Sequence, residues 1–214
     1  MNITIIGAGN MGRGIGTRFV EGGHSVTFID RKPEEAEKVA NDVKAAAKNG
    51  AQISTANLED AKLGDVVVLA VPYGANVELA KQLGTKLAGK IVVDIANPLN
   101  ATYDGLATKP DSSSAEDVAK AVTSDTKVVK AFNTTFAGTL LAGRVAGQPL
   151  DVFIAGDDAS AKSKIEQLVK DGGMRPIDAG PLNRSRQIEA MQFLHITLQG
   201  SLGTNWGSTV KILN

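Results

Sequence analysis

The chain has 214 residues, 23 basic and 23 acidic side chains, and no cysteine. That length can bury a good core, as one domain or as a large one plus a small one. Zero net charge gives no electrostatic reason to expect nucleic acid or a membrane surface as partner, and the lack of cysteine excludes disulfides, thiolate nucleophiles and Cys-based metal sites.

A first strand is read at Ile3–Ile6. It runs into Gly7-Ala8-Gly9-Asn10-Met11-Gly12, which opens a helical segment, and a second strand, Ser25–Ile29, ends in Asp30. A GxGxxG motif alone is weak evidence. Between a strand and a helix, with an acidic residue at the end of the next strand, it is the fingerprint of a dinucleotide-binding unit. Gly7 lets the chain turn tightly, Gly9 lets a pyrophosphate approach the backbone, and Gly12 lets the helix pack close to the sheet. The helix N-terminus offers free N–H groups and a partial positive charge to the phosphates. Gly14 and Gly16, inside that helix, each cost about 1 kcal/mol relative to alanine. Close helix–sheet packing is the expected reason.

Further apolar runs follow at Val66–Val71, Ile91–Ile95, Val128–Phe132 and Val152–Ile154. Near-continuous Val/Ile runs are the mark of strands buried on both faces of a parallel sheet. Between them lie segments with helical spacing at 34–48, where Val39 and Val43 face inward, at 75–88 and at 115–123. The fold expected is α/β, a doubly wound Rossmann sheet. Residues 97–114 form the longest irregular segment. It leaves the C-terminal end of a strand, where ligands bind in this architecture.

The remainder reads as a strand at Asp151–Ala155, a helix at Ser160–Lys170, a strand at Met174–Asp178 and a long helix at Ile188–Leu202. Pro176 places the last strand at a sheet edge, and Pro181 suits a helix start. The expected division is a dinucleotide-binding domain over 1–145 and a small C-terminal α+β cap over 146–214. No basic leader precedes the first strand, and no apolar run approaches membrane-spanning length, so a cytoplasmic protein is expected.

The two histidines suggest structure rather than chemistry. His24 precedes the second strand, at the opposite end of the sheet from the cofactor, and His195 sits among apolar neighbours on the last helix. Two distant histidines make no metal site. Glu34, Glu35 and Glu37 mark an exposed helix start, and Asp157-Asp158 a turn and N-cap. No serine, histidine and carboxylate arrangement stands out, and no catalytic residue is singled out. Hydride transfer needs none, because a nicotinamide supplies the chemistry and the protein positions two rings and excludes water.

Three segments together resemble one family: Gly7–Gly12, Lys127-Val128-Val129-Lys130-Ala131-Phe132-Asn133-Thr134, and Met174 to Leu182 with its Asp178-Ala179-Gly180-Pro181-Leu182 stretch. The chain resembles the coenzyme F420-dependent NADP oxidoreductases, over nearly its whole length. The Lys-Ala-Phe-Asn-Thr stretch is also similar to the cytosolic reductase domain of membrane metalloreductases, which pass electrons from NADPH to a flavin. The chain departs from the archaeal F420 enzymes at Asn133, where they carry histidine. It also departs at Asp30-Arg31, where their second strand ends in a small residue followed by arginine.

The resemblance implies a compact oxidoreductase that moves a hydride between NADP, with NAD as the alternative, and a diffusible flavin or F420-like deazaflavin. It implies a homodimer. Gly7, Ala8, Gly9, Asn10 and Met11 would lie at the pyrophosphate, and Asp30, Arg31 and Lys32 at the adenosine end. Ala70, Val71 and Pro72 would border the nicotinamide from one side and Ala96, Asn97 and Pro98 from the other. Asn133 and Thr134 would meet the acceptor, on the rim of an apolar cleft. Two other readings stand beside this one. A hydroxy-acid dehydrogenase or imine reductase shares the Rossmann motif but carries a large helical domain, and only residues 146–214 are left here. A non-catalytic NAD(P)H sensor is compatible with the motif, since the fold does not imply catalysis.

Overall fold

The structure, a computed structural model, describes residues 1–213; Asn214, the last residue of the expected cap, lies outside the described residues. Ten strands are β1 (Asn2–Ile6), β2 (Ser25–Ile29), β3 (Ile53–Thr55), β4 (Val66–Leu69), β5 (Ile91–Asp94), β6 (Lys127–Lys130), β7 (Arg144–Val145), β8 (Gln148–Pro149), β9 (Asp151–Gly156) and β10 (Arg175–Gly180). Seven α-helices are α1 (Asn10–Glu21), α2 (Pro33–Lys44), α3 (Tyr73–Leu83), α4 (Ser114–Ala121), α5 (Ala137–Ala142), α6 (Ala159–Asp171) and α7 (Ser185–Leu202).

Eight strands form one sheet in the order β10-β9-β6-β5-β4-β1-β2-β3, and β7 and β8 form a separate small hairpin. Every pairing in the large sheet is parallel except that of β6 with β9. The segment expected as a cap is therefore tied to the Rossmann sheet through β9 and β10. β10 is the edge strand, as Pro176 requires.

Alternation along each strand builds two cores. Ile3, Ile5, Val66, Val68 and Val93 meet Ile15, Phe19, Val39 and Val43 of α1 and α2 and Ile165 of α6 on one face. Ile6, Val67, Leu69 and Val92 meet Ala80 and Leu83 of α3 and Val118 of α4 on the other. On that second face Phe153 and Ala155 of β9 cover Ile188 of α7. Helices on both faces of a mostly parallel sheet are the doubly wound fold that the sequence predicts.

Gly14 and Gly16 of α1 pack differently from one another. A Cβ at Gly16 would lie 2.4 Å from the Phe28 ring, so that glycine does seat the helix on β2. A Cβ at Gly14 would meet Leu140 at 2.9 Å, so that one serves the contact with α5. Both histidines make packing and hydrogen-bond contacts within the fold. His24 Nδ1 lies 3.2 Å from the amine of Met1, and its Nε2 lies 3.0 Å from Asp171. His195 packs on Phe136, and its Nε2 lies 2.8 Å from the hydroxyl of Ser208.

Candidate active site

The strand order reverses on either side of β1, so the loops leaving β1 and β4 diverge and open a crevice at the C-terminal end of the sheet. Three glycines shape its floor. Gly7 has φ of +108° and leaves no room for a side chain, because its Cβ would sit 2.2 Å from the Ala70 carbonyl oxygen. A Cβ at Gly12 would sit 2.1 Å from the Gly7 carbonyl oxygen, so the third glycine closes the turn on itself. Gly9 differs: a Cβ there would meet nothing within 4 Å. Its missing side chain is open space over the start of α1, whose first turn holds no acidic residue. Free helix amides beside an open backbone fit a pyrophosphate.

The crevice has two lobes. One, of about 600 Å³, is lined by Gly7, Gly9, Ile29, Asp30, Arg31 and Pro72, with Leu58, Glu78, Leu79 and Gln82 opposite. Asp30 is committed to the backbone around it. Its Oδ2 accepts from the Ala8 amide at 2.8 Å and its Oδ1 from the Lys32 amide at 3.0 Å. The carboxylate thus ties the end of β2 to the glycine loop. Arg31 and Lys32 are left exposed at the mouth.

The second lobe, of about 810 Å³, is lined by Gly9, Asn10, Met11, Ala70, Val71 and Pro72 from one side and by Ile95, Ala96 and Asn97 from the other. Tyr73, Tyr103, Thr135, Phe136, Gln192, Ile196 and Trp206 also line it. No carboxylate, lysine, arginine or histidine lines this lobe among the described residues. Phe136 meets Trp206 edge to face, with ring centroids 5.1 Å apart.

Most residues expected at a cofactor line one lobe or both. Ala8 is buried and reaches the site only through its amide to Asp30, Lys32 contributes its amide at the N-cap of α2, and Pro98 is buried behind Asn97. Asn133 and Thr134, expected on the rim, are each only 1% exposed. They lie one layer behind the cleft, while Thr135 and Phe136, the next two residues, line it. The cause is the backbone at Phe132. With φ of +64° it reverses the chain at the end of β6, and Thr135 donates its amide and its hydroxyl to the Phe132 carbonyl. A bulky residue in the left-handed region is strained, and such strain concentrates at functional sites.

Sequence reasoning missed Phe136, Gln192, Ile196 and Trp206. Phe136 was within reach, two residues past a quoted motif. Trp206 is the only tryptophan in the chain, but no periodicity marks the segment that carries it.

Residues 2–98 match the family model described as NADP oxidoreductase, coenzyme F420-dependent. The chain is 34% identical to the F420-dependent NADP reductase of Methanocaldococcus jannaschii, with 100% of this chain and 99% of that protein covered. The chain belongs to the F420-dependent NADP oxidoreductase family. A crystal structure of an F420-dependent NADP-reductase candidate from Arthrobacter sp. FB24 superposes with a TM-score of 0.85 at 29% identity, covering 99% of both chains. Metalloreductase STEAP3 of Rattus norvegicus is 30% identical over 88% of this chain, which spans 36% of that protein. Family membership therefore rests on a relative matched end to end, and the likeness to the metalloreductase is confined to part of that longer protein.

Proposed function

We propose that the protein is an NADP-linked oxidoreductase that exchanges a hydride with a flavin-like acceptor, coenzyme F420 being the acceptor its family points to. The observation that carries this reading is the two-lobed crevice, with an open glycine at the junction and an uncharged, aromatic second lobe. A bound NADPH supplies the hydride donor. The amides of Asn10 and Met11 hold the pyrophosphate at the α1 N-terminus. Arg31, with Lys32 beside it, faces the adenosine 2′-phosphate, for which a guanidinium fork is suited.

Ala70, Val71 and Pro72 border the nicotinamide on one side, and Ala96 and Asn97 on the other. Phe136, Ile196 and Trp206 offer the acceptor an apolar surface and keep water out. Asn133 acts on the acceptor side through Asn97, and Thr134 backs the same turn. The lobe holds no carboxylate or histidine, its side-chain hydroxyls being those of Tyr73, Tyr103 and Thr135, which suits an acceptor that takes up a hydride with little help from a strong side-chain acid. A flavin or deazaflavin meets that condition, whereas a hydroxy-acid substrate requires a proton relay.

The protein acts in the cytoplasm as a homodimer. In support, no helix among the described residues is long and apolar enough to cross a membrane. Leu194, Leu198 and Leu202 form an exposed stripe at four-residue spacing along α7 that a second copy would cover. Light scattering would then read twice the chain mass of 22.2 kDa. The function is tested by following NADPH and NADH oxidation with F420, FMN, FAD and quinones as acceptors. Tight NADPH binding with no acceptor reduced would favour the sensor reading.

A further inference from the structure

Beneath the second lobe lies a buried charged cluster. Lys130, the last residue of β6, is fully buried with its ammonium between two buried carboxylates. It donates to Asp94 Oδ2 at 2.8 Å, to Glu189 Oε1 at 2.7 Å and to the carbonyl oxygen of Ala96. All three of its N–H groups are therefore used. Asp94 Oδ1 accepts from Asn76 of α3 at 2.9 Å, and the Asn76 amide also donates to Ser114 Oγ at 2.7 Å. Glu189 accepts the Ser114 amide at the start of α4. Burial pushes the Glu189 carboxyl up from its ordinary pKa, against the pull of Lys130.

A core of this size could be filled with apolar side chains at no loss of stability. Its position suggests what it is for. Ala96, held by Lys130 through its carbonyl, is one wall of the lobe. Glu189, held by the same ammonium, lies on α7, and Gln192 and Ile196, three and seven residues further on, are the opposite wall. Residues three and seven apart share one helix face. One buried ammonium thus fastens both walls of the lobe.

We propose that Lys130 and Glu189 are positioning residues that set the spacing between the strand-end wall, Ala96–Asn97, and the α7 wall, Gln192 and Ile196. This inference rests on the oxidoreductase reading for its kinetic consequence, but not for its structural one. The adenosine lobe is built from the loops after β1, β2 and β4 and from α3, and α3 reaches the cluster through Asn76, which donates to Asp94 and not to Glu189. Loss of the bridge should therefore separate acceptor chemistry from cofactor affinity.

The experiment compares wild type with Glu189→Ala, which leaves Lys130 paired to Asp94, and with Glu189→Gln, which keeps an oxygen for Lys130. Glu189→Met, which keeps the volume and cannot accept, serves in place of the alanine variant if that one does not fold. Two readouts are taken with NADPH bound: energy transfer from Trp206, the only tryptophan and a lining residue, and the single-turnover rate of FMN and F420 reduction. The expected result for Glu189→Ala is an NADPH Kd within about threefold of wild type, weakened energy transfer, and a hydride-transfer rate about 100-fold lower, the order that a 1 Å misplacement costs. Glu189→Gln should recover most of both.

Unchanged energy transfer and rate in Glu189→Ala or Glu189→Met would overturn the proposal. So would a fall in rate matched by an equal fall in NADPH affinity, which marks general loosening. A wild-type protein that transfers energy to NADPH but reduces no acceptor would sink the oxidoreductase reading. The energy-transfer comparison would still decide the spacing.

Discussion

Asn97 and Asn133 hold one another across the ends of two adjacent strands. The Asn97 side-chain amide donates to the Asn133 carbonyl at 2.9 Å, and the Asn133 side-chain amide donates to Asn97 Oδ1 at 2.9 Å. Only Asn97 faces the lobe. Asn133 therefore acts through Asn97, as the peg that orients it. Because the two act as a unit, Asn97→Ala and Asn133→Ala should each lower kcat/KM for the acceptor, and the double variant should cost little more than the worse single. A double-mutant cycle on kcat/KM should give a coupling of about 1–2 kcal/mol, the order of a partly buried hydrogen-bonded pair. Additive losses would show that Asn133 has a separate role.

The pyrophosphate site is tested at Gly9. A Cβ there would meet nothing within 4 Å beyond its chain neighbours, so Gly9→Val should keep the fold. The branched side chain occupies the space over the α1 amides that the phosphates need. NADPH affinity should fall by about 100-fold or more, with the fold retained. Wild-type affinity by titration would place the phosphates elsewhere. Gly7→Ala and Gly12→Ala are the contrast, since both drive a Cβ into backbone oxygen and should lower stability as well.

In the proposed function, Arg31 rather than Asp30 carries the choice of NADP over NAD. The Asp30 carboxylate is held by two backbone amides, which fixes it to the glycine loop. Arg31→Ala should weaken NADPH by about 10- to 100-fold, the range of charge-assisted hydrogen bonds, and leave NADH almost unchanged. Asp30→Asn removes the charge but gives up one of the two amide bonds. It should widen the preference for NADPH while lowering stability by about 1 kcal/mol. A ratio of NADPH to NADH dissociation constants that does not move in Arg31→Ala would refute this assignment.

Acid should loosen the contact of Asp151 with Arg175 and with Lys211 and Ile212 near the C-terminus. Burial works to raise the pKa of Asp151, but hydrogen bonds from Arg175, Lys211 and the Ile212 amide outweigh it and hold the group down to about 2. A carboxylate with a depressed folded-state pKa stabilises the fold above its ordinary value and loses that contribution as pH falls toward the folded value. The window here runs from about 4 down to about 2. Arg175→Ala should lower stability at pH 7, move the acid-unfolding midpoint to higher pH and flatten the loss of stability between about pH 4 and 2. Coincident acid transitions of the two proteins would contradict the role given to this contact.

What was legible in the sequence was the part that repeats. Val/Ile runs gave six strands of the large sheet because full burial on both faces leaves no room for polar alternation. The glycine loop and Asp30 were readable because phosphate chemistry demands those residue types at that spacing. β3 has one half-buried and two exposed residues, so no apolar run betrays it. The six-residue α5 is too short for a helical period to register. The acceptor lobe was the least legible. Its walls come from α7, the segment around Trp206 and the turn at Phe132, which the fold alone brings together. The positive φ at Phe132 turned Asn133 and Thr134 behind the surface that their place in the chain had suggested. Lys130 stood in plain view within a quoted motif. Its partners Asp94 and Glu189 lie 36 and 59 residues away, a distance no local pattern spans.

The central claim is direct hydride transfer within the uncharged lobe. It is tested by single-turnover reduction of F420 or FMN with NADPH deuterated at the transferring C4 position. The expected result is that the acceptor is reduced, that the label moves to it without exchange with water, and that the rate shows a primary isotope effect. Saturating NADPH binding with neither acceptor reduced, or reduction with the label lost to solvent, would contradict it.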